Sequence, residues 1–181
     1  MIIKETKLKG CYTLQPKVFE DKRGYFIESY NENVFKKALG KNNNFVQDNE
    51  SQSSKGVLRG LHYQTGEFAQ AKLVRVIKGK VLDIAVDLRQ NSLTFGEHVS
   101  AILSEENKTQ LFIPRGFAHG FLVLEDNTIF SYKCDNFYNK ESETGVIYND
   151  KDLNIDWKYP ESELILSEKD LLLPSFKNAK L

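Results

Sequence analysis

The sequence predicts an all-β sandwich or barrel with one short helix near its N-terminus and a small helical tail at its C-terminus. From about Phe45 onward the chain is a succession of short β-branched or aromatic runs separated by polar turns, the spacing of such folds. Before that point only one stretch has helical periodicity. No repeat, low-complexity tract or Pro/Gly/Ser linker divides the 181 residues, so one domain covering 1–181, large enough to bury its own core, is expected.

The early helix is placed over residues 33–39, where Val34, Phe35, Ala38 and Leu39 form an apolar stripe and Gly40 occupies the stop position. The polar island Lys41-Asn42-Asn43-Asn44 reads as a loop. Residues 72–77 form a strand that reaches a turn at Lys78-Gly79. Residues 81–88 follow with Leu82, Ile84, Val86 and Leu88 on one face, so the pair reads as a hairpin. Runs at 98–103, 111–113, 117–124 and 129–134 continue the pattern, with Glu125-Asp126-Asn127 as a polar turn. In the tail, Ser167-Glu168-Lys169-Asp170 has the Ser-x-x-acid form of a helix start, and Pro174 closes the run.

Composition excludes several function classes. Twenty-five basic residues balance twenty-five acidic ones, so no global field draws the chain to nucleic acid or to an anionic membrane, and any phosphate must be met by a local cluster. Cys11 and Cys134 are far apart and lack a Cys-x-x-Cys spacing, which points to reduced thiols. With no apolar leader and no apolar run of membrane-spanning length, a cytoplasmic protein is expected.

Two histidine segments carry the chemistry: Leu58-Arg59-Gly60-Leu61-His62-Tyr63-Gln64 and Pro114-Arg115-Gly116-Phe117-Ala118-His119-Gly120. They resemble the two halves of a cupin site whose metal ligands are missing. A divalent ion needs three or four convergent donors, and Gln64 stands where a metal-binding cupin has its second histidine. No metal is therefore expected, and two free imidazoles suited to moving protons remain. Gly60 leaves room for a close ligand beside His62, and Arg59 suggests that the ligand is anionic. The glycines and proline around His119 are costly in a strand unless a tight bend or a ligand requires them. Local sequence alone leaves other residues open. Lys72 shares the parity of Val74 and Val76, yet could snorkel at a strand end. Tyr132 is either a core aromatic or a general acid. Asp170 fits a capping box with Ser167. Arg23, Arg59 and Lys169 are by default solvated charges, and His98 has no surroundings that suggest a role.

Taken in order, these residues closely resemble the dTDP-4-dehydrorhamnose 3,5-epimerases. The likeness runs through Arg23-Gly24-Tyr25-Phe26-Ile27-Glu28, Phe45-Val46-Gln47-Asp48-Asn49-Glu50-Ser51 and Gly56 to Gln64. It continues through Lys72-Leu73-Val74-Arg75-Val76, Asp83 to Arg89, and Ile113 to Phe121. Tyr132-Lys133-Cys134, Asn149-Asp150, Ile155-Asp156-Trp157 and Leu166 to Asp170 complete it. The resemblance implies a cupin-type double-stranded β-helix, or jelly roll, working without metal or cofactor as a homodimer with exchanged N-terminal strands. It implies His62 as general base oriented by Asp170, Lys72 beside the enolate oxygen and Tyr132 as the acid. Binding roles follow for Arg59, His119, Lys169, Gln47, Asn49 and Glu143, with Tyr138 stacking on thymine. Arg23, Phe26 and Glu28 would enter from the neighbouring subunit. The substrate implied is a dTDP-4-keto-6-deoxy sugar epimerised at C3 and C5. The alternatives are a single-centre or GDP-sugar epimerase, a non-catalytic nucleotide-sugar-binding jelly roll, and a metal-dependent cupin oxygenase, which Gln64 disfavours. Tyr148 and Phe137 depart from the family's usual tryptophan and tyrosine, which touches the nucleotide more than the reaction.

Overall fold

The computed structural model describes residues 1–39 and 44–181. In chain order its elements are β1 (Ile2–Glu5), β2 (Tyr12–Gln15), β3 (Val18–Asp21), β4 (Gly24–Ile27), α1 (Glu32–Leu39), β5 (Gln47–Ser53), β6 (Leu58–Gln64) and β7 (Lys72–Lys78). There follow β8 (Lys80–Asp87), β9 (His98–Ser104), β10 (Gln110–Ile113), β11 (Phe117–Val123), β12 (Thr128–Cys134), β13 (Glu143–Gly145) and α2 (Glu168–Leu171). A six-stranded sheet runs β1-β2-β10-β7-β12-β5, a five-stranded sheet runs β13-β6-β11-β8-β9, and β3 and β4 form a separate two-stranded ribbon. All ladders are antiparallel. From β6 onward the chain passes repeatedly between the two large sheets, which is the expected jelly roll.

The core lies between those sheets. Val74, Val76, Leu111, Ile113 and Phe130 from one meet Val81, Ala85, Leu103, Phe121 and Val123 from the other. A second apolar layer, built on Leu58, Leu61, Leu82, Ile84, Val86 and Leu122, is covered by Tyr148, Leu153, Trp157 and the C-terminal tail. Thus β8 is buried on both faces, and its inward parity carries two carboxylates, Asp83 and Asp87, with no exposed surface.

The expected hairpin at Lys78-Gly79 is not one. β7 pairs with β10 and β12, whereas β8 pairs with β11 and β9, so the turn carries the chain from one sheet to the other. Two alternating strands across a tight Lys-Gly turn satisfy the local hairpin pattern, but burial on both faces of β8 is met only between other strands. Gly79 is required there: its φ is +80° and a Cβ would lie 2.3 Å from Thr128 Oγ1.

The helix begins one residue earlier than expected, because the Asn31 side chain accepts from the backbone N–H groups of Asn33 and Val34. Phe35 is fully buried, packed edge-on against Tyr30, Phe45 and Phe112, whereas Val34 and Ala38 of the expected stripe are exposed. The stop at Gly40 and residues 41–43 of the loop expected over Lys41-Asn42-Asn43-Asn44 lie outside the described residues, and Asn44 is in neither helix nor strand. The four strands before the helix were not marked by hydrophobic alternation. The tail helix is a single turn, capped by Ser167 as expected, with short 3₁₀ turns on either side.

Asp87 shows how buried charge is accommodated here. It accepts from Arg89 Nε at 2.8 Å and Nη2 at 2.6 Å, from Ser92 Oγ at 2.6 Å and from Thr94 Oγ1 at 2.7 Å. Burial alone would raise its carboxyl, but these donors outweigh it and hold the pKa at about 2, against an ordinary 3.8. A depressed carboxylate contributes stability that is complete above its unfolded value and is lost as pH falls through the folded one. Asp87→Asn should therefore cost roughly 2 kcal/mol at pH 7 in urea unfolding. The gap to wild type should shrink below pH 3; an equal gap at pH 7 and pH 2.5 would contradict the assignment.

Candidate active site

A cavity of about 540 Å³ opens between the two sheets, and His62, Lys72, His119, Tyr132, Arg59, Lys169 and Asp170 all line it. His62 and His119 face each other in register on neighbouring strands β6 and β11 of the five-stranded sheet. Lys72 and Tyr132 project from β7 and β12 of the six-stranded sheet, so the two pairs stand on opposing walls.

The glycines around the histidines serve the backbone, not a ligand. Gly60 has φ +120°, and a Cβ on it would lie 2.6 Å from Gly120 Cα and 2.7 Å from His119 O. The room expected beside His62 is filled by strand β11, which shifts register between His119 and Phe121 at this point. Gly116, at φ +82°, leaves space for Arg89 Cγ. Gln64 is also structural: its amide nitrogen donates to Phe68 O and Phe137 O, and its oxygen accepts from Asn139 N.

His62 Nε2 lies 2.5 Å from Asp170 Oδ1, while Asp170 Oδ2 accepts from Ser167 Oγ at 2.8 Å and Ser167 Oγ accepts from Asp170 N at 3.1 Å. The helix-start role and the histidine partner, which looked like alternatives in the sequence, fall to the same residue. Asp170 donates its backbone N–H to the Ser167 cap and accepts from Ser167 on one carboxylate oxygen while the other meets His62. Burial would raise Asp170, but the bonds from His62 and Ser167 prevail and hold it below the usual carboxylate range. With Nε2 turned to a carboxylate, His62 Nδ1 has no hydrogen-bond partner among the described residues, and the side chain lines the cavity.

Lys72 does not snorkel. Burial pushes its ammonium below the usual lysine range, opposed by the charges of Asp83 and Glu143, and it makes no ion pair among the described residues. Its Nζ stands 5.7 Å from the centroid of the Tyr132 ring. Burial raises the Tyr132 phenol, which keeps it protonated at neutral pH.

A second cavity of about 280 Å³ shares His62, Lys72 and Tyr132 with the first and extends past Gln47, Asn49, Tyr138 and Glu143. One chain of contacts spans it. Lys169 Nζ donates to Glu143 Oε2 at 2.6 Å, Tyr138 Oη donates to the same oxygen at 2.9 Å, Tyr138 N donates to Gln47 Oε1 at 3.0 Å, and Gln47 Nε2 donates to Asn49 Oδ1 at 2.9 Å. Tyr138 is more than half exposed at the rim. Arg59 reaches Ser53 Oγ at 3.1 Å.

Three expected binding residues are not brought to this site within the chain. Arg23 pairs with Asp21 at the tip of the β3–β4 ribbon, Phe26 is 67% exposed on it, and Glu28 follows it, accepting from Asn31 Nδ2. Asp83 is a residue that sequence reading missed. Its carboxylate, fully buried on β8, meets His119 Nε2. The available signal was an acidic residue at the inward parity of an otherwise apolar strand, which demands a buried partner.

Comparison with known proteins bears on the family and the fold. The family model described as dTDP-4-dehydrorhamnose 3,5-epimerase matches residues 5–178. The dTDP-4-dehydrorhamnose 3,5-epimerase of Escherichia coli K12 is 53% identical over 170 residues, covering 94% of this chain and 91% of that protein. The crystal structure of the enzyme of that name from Elizabethkingia anophelis superposes with a TM-score of 0.95 at 61% identity, covering 98% of this chain and 97% of that one. A dTDP-6-deoxy-D-glucose-3,5-epimerase from Legionella pneumophila, solved with dTDP-4-keto-L-rhamnose, gives a TM-score of 0.95 at 46% identity, covering 99% and 94%. From the match along nearly its whole length, together with a jelly roll that sets an imidazole–carboxylate pair opposite a lysine and a tyrosine, the chain belongs to the dTDP-4-dehydrorhamnose 3,5-epimerase family.

Proposed function

We propose that this protein epimerises dTDP-4-dehydro-6-deoxy-D-glucose at C3 and C5 to dTDP-4-dehydro-L-rhamnose. The observation that carries the reading is the placement of the His62–Asp170 pair on one wall of a single cavity and Lys72 with Tyr132 on the other. Loss of a proton from C3 or C5 of a 4-keto sugar gives an enolate conjugated with the same C4 oxygen, so one oxyanion site serves both centres. His62 Nδ1 takes the proton, and Asp170 holds the ring and supports the imidazolium. The Lys72 ammonium stabilises the enolate oxygen in a site with little water. Tyr132 returns a proton from the opposite face, which inverts the centre. One proton leaves and one enters, with no net oxidation, so the sequence of steps calls for neither a metal nor a redox cofactor.

The same reading gives Arg59 and Lys169 the diphosphate, Tyr138 the thymine face, Gln47, Asn49 and Glu143 polar contacts to the nucleotide sugar, and His119 a place in the sugar pocket. It also accounts for the β3–β4 ribbon. Phe19, Tyr25 and Phe26 leave half or more of their surface exposed on a two-stranded ribbon that is marginal alone in water. In a homodimer with exchanged N-terminal strands, the ribbon delivers Arg23, Phe26 and Glu28 to the partner's cavity. No helix among the described residues is long and apolar enough to cross a membrane, and we place the reaction in the cytoplasm with its nucleotide-sugar substrate. A single-centre epimerase would use the same base and acid, so the choice of two-centre inversion rests on the relatives named above, which are 3,5-epimerases.

Two tests follow. His62→Ala should lower kcat by about 10²–10⁴-fold with dTDP affinity little changed, whereas Tyr132→Phe should retain exchange of substrate C–H protons better than formation of epimerised product. Retained turnover in the first, or equal loss of both in the second, removes the assigned role. For the dimer, Arg23→Ala and His62→Ala proteins, each impaired alone, should recover part of the activity when unfolded together and refolded as mixed dimers. No recovery would place Arg23 outside the partner's site.

A further inference from the structure

His119 is wired like His62 but is set in different surroundings. Its Nε2 lies 2.9 and 3.1 Å from the two oxygens of Asp83, and both side chains are almost completely buried. A near-equal approach to both oxygens is that of one N–H shared between two acceptors; a protonated carboxyl would donate from a single oxygen. The ring therefore carries its hydrogen on Nε2, and Nδ1 keeps a bare lone pair. Nδ1 has no hydrogen-bond partner among the described residues. It is not sealed off either, since Gln110 Oε1 is the orphaned buried side-chain polar atom among the described residues. It opens onto the cavity that His119 lines.

The surroundings keep this imidazole neutral. It is stacked on Phe130, with centroids 6.1 Å apart, and lies 6.2 Å from Phe121, in a wall with little access for water. Burial, with Lys72 and His62 nearby, pushes its pKa below the ordinary histidine value, while Asp83 opposes. His62, whose side chain is 26% exposed, has more room to carry a charge than His119 at 6%. Arg59, Lys72, Lys169 and Tyr132 bring donors to the cavity, suited to phosphate and ketone oxygens, while of the two carboxylates that line it, Glu50 and Asp170, the second is already engaged by His62 and Ser167. A sugar hydroxyl also brings a hydrogen that needs an acceptor.

We infer that Asp83 is a positioning residue which fixes His119 as the Nε2–H tautomer, so that its bare Nδ1 accepts a hydrogen bond from a ring hydroxyl of the sugar and does not exchange protons with the reacting carbons. The identity of the hydroxyl donor rests on the nucleotide-sugar reading above; the tautomer does not.

Long-range ¹H–¹⁵N correlation spectra of the ¹⁵N-labelled protein at pH 7, with the ring assigned by a His119→Gln control, test both parts. Free protein should show His119 with a protonated Nε2 and an unprotonated Nδ1. An Nδ1–H tautomer or a doubly protonated ring would overturn the inference. Saturation with dTDP-L-rhamnose, a relative without the reacting ketone, should then move the Nδ1 resonance in the direction of an accepted hydrogen bond. With binding verified from the Tyr138 signals, an unmoved Nδ1 overturns the acceptor role even if the tautomer is right; failure of the ligand to bind at all would instead count against the nucleotide-sugar reading. Asp83→Asn should weaken the tautomer preference and lower kcat/KM by about 10- to 100-fold, the loss of one hydrogen bond to a charged group, with dTDP affinity within about twofold. An Asp83→Asn protein that loses thermal stability but keeps the wild-type tautomer and kcat/KM would reduce Asp83 to a structural part.

Discussion

The contact between His62 and Asp170 ties the C-terminal tail to the sheet and, on the reading given above, sets up the base. Asp170 sits in a single helical turn of four residues, too short to be stable through its own hydrogen bonds. The turn is held by its Ser167 cap, by the Asp170 carboxylate on His62 and by the apolar tail residues that pack over the outer face of the five-stranded sheet. The tail also supplies Lys169 to the cavity rim, in contact with Glu143. A fault in tail packing would therefore reach the base and the rim together, without altering any residue of the two main sheets.

The jelly roll supplies what a pair of flanking groups requires: two walls whose side chains point at each other across a gap. Histidines come from one sheet, and lysine and tyrosine from the other. Along β8 the inward carboxylates balance charge at two places. Asp83 lies beside His119 near Lys72, and Asp87 beside Arg89, so the interior holds ionic groups in compensated sets. The chain's formal charge is zero. On the reading proposed above, the positive character needed for a diphosphate is local, supplied by Arg59 and Lys169 at the cavity.

Much of this was legible in the sequence, for identifiable reasons. Strands such as β8 and β11 carry apolar runs long enough to be unambiguous, and the capping pattern at Ser167 is local in sequence and local in space. Sheet membership was not legible. Alternation in 72–77 and 81–88 says that both are strands but not that they lie in opposite sheets, because pairing depends on β9 to β12. The ribbon and the first two strands are not legible from periodicity, because their polar and exposed residues give no alternation; only the family resemblance implied strands there. Among site residues, His62, Lys72, Tyr132 and Asp170 were marked individually but converge only through long-range pairing. Asp83 was hidden by its apolar neighbours, and Gly60 and Gln64 look like ligand-site features but serve close strand approach and loop anchoring.

The most direct measurement is mass spectrometry of dTDP-4-dehydro-6-deoxy-D-glucose incubated with the protein in D₂O, beside a control without enzyme and a folded His62→Ala control. Solvent deuterium should enter at both C3 and C5, and should do so only when His62 is present. A single label would mean that one centre alone is inverted. No label, or labelling undiminished in His62→Ala, would contradict proton transfer by the His62–Asp170 pair.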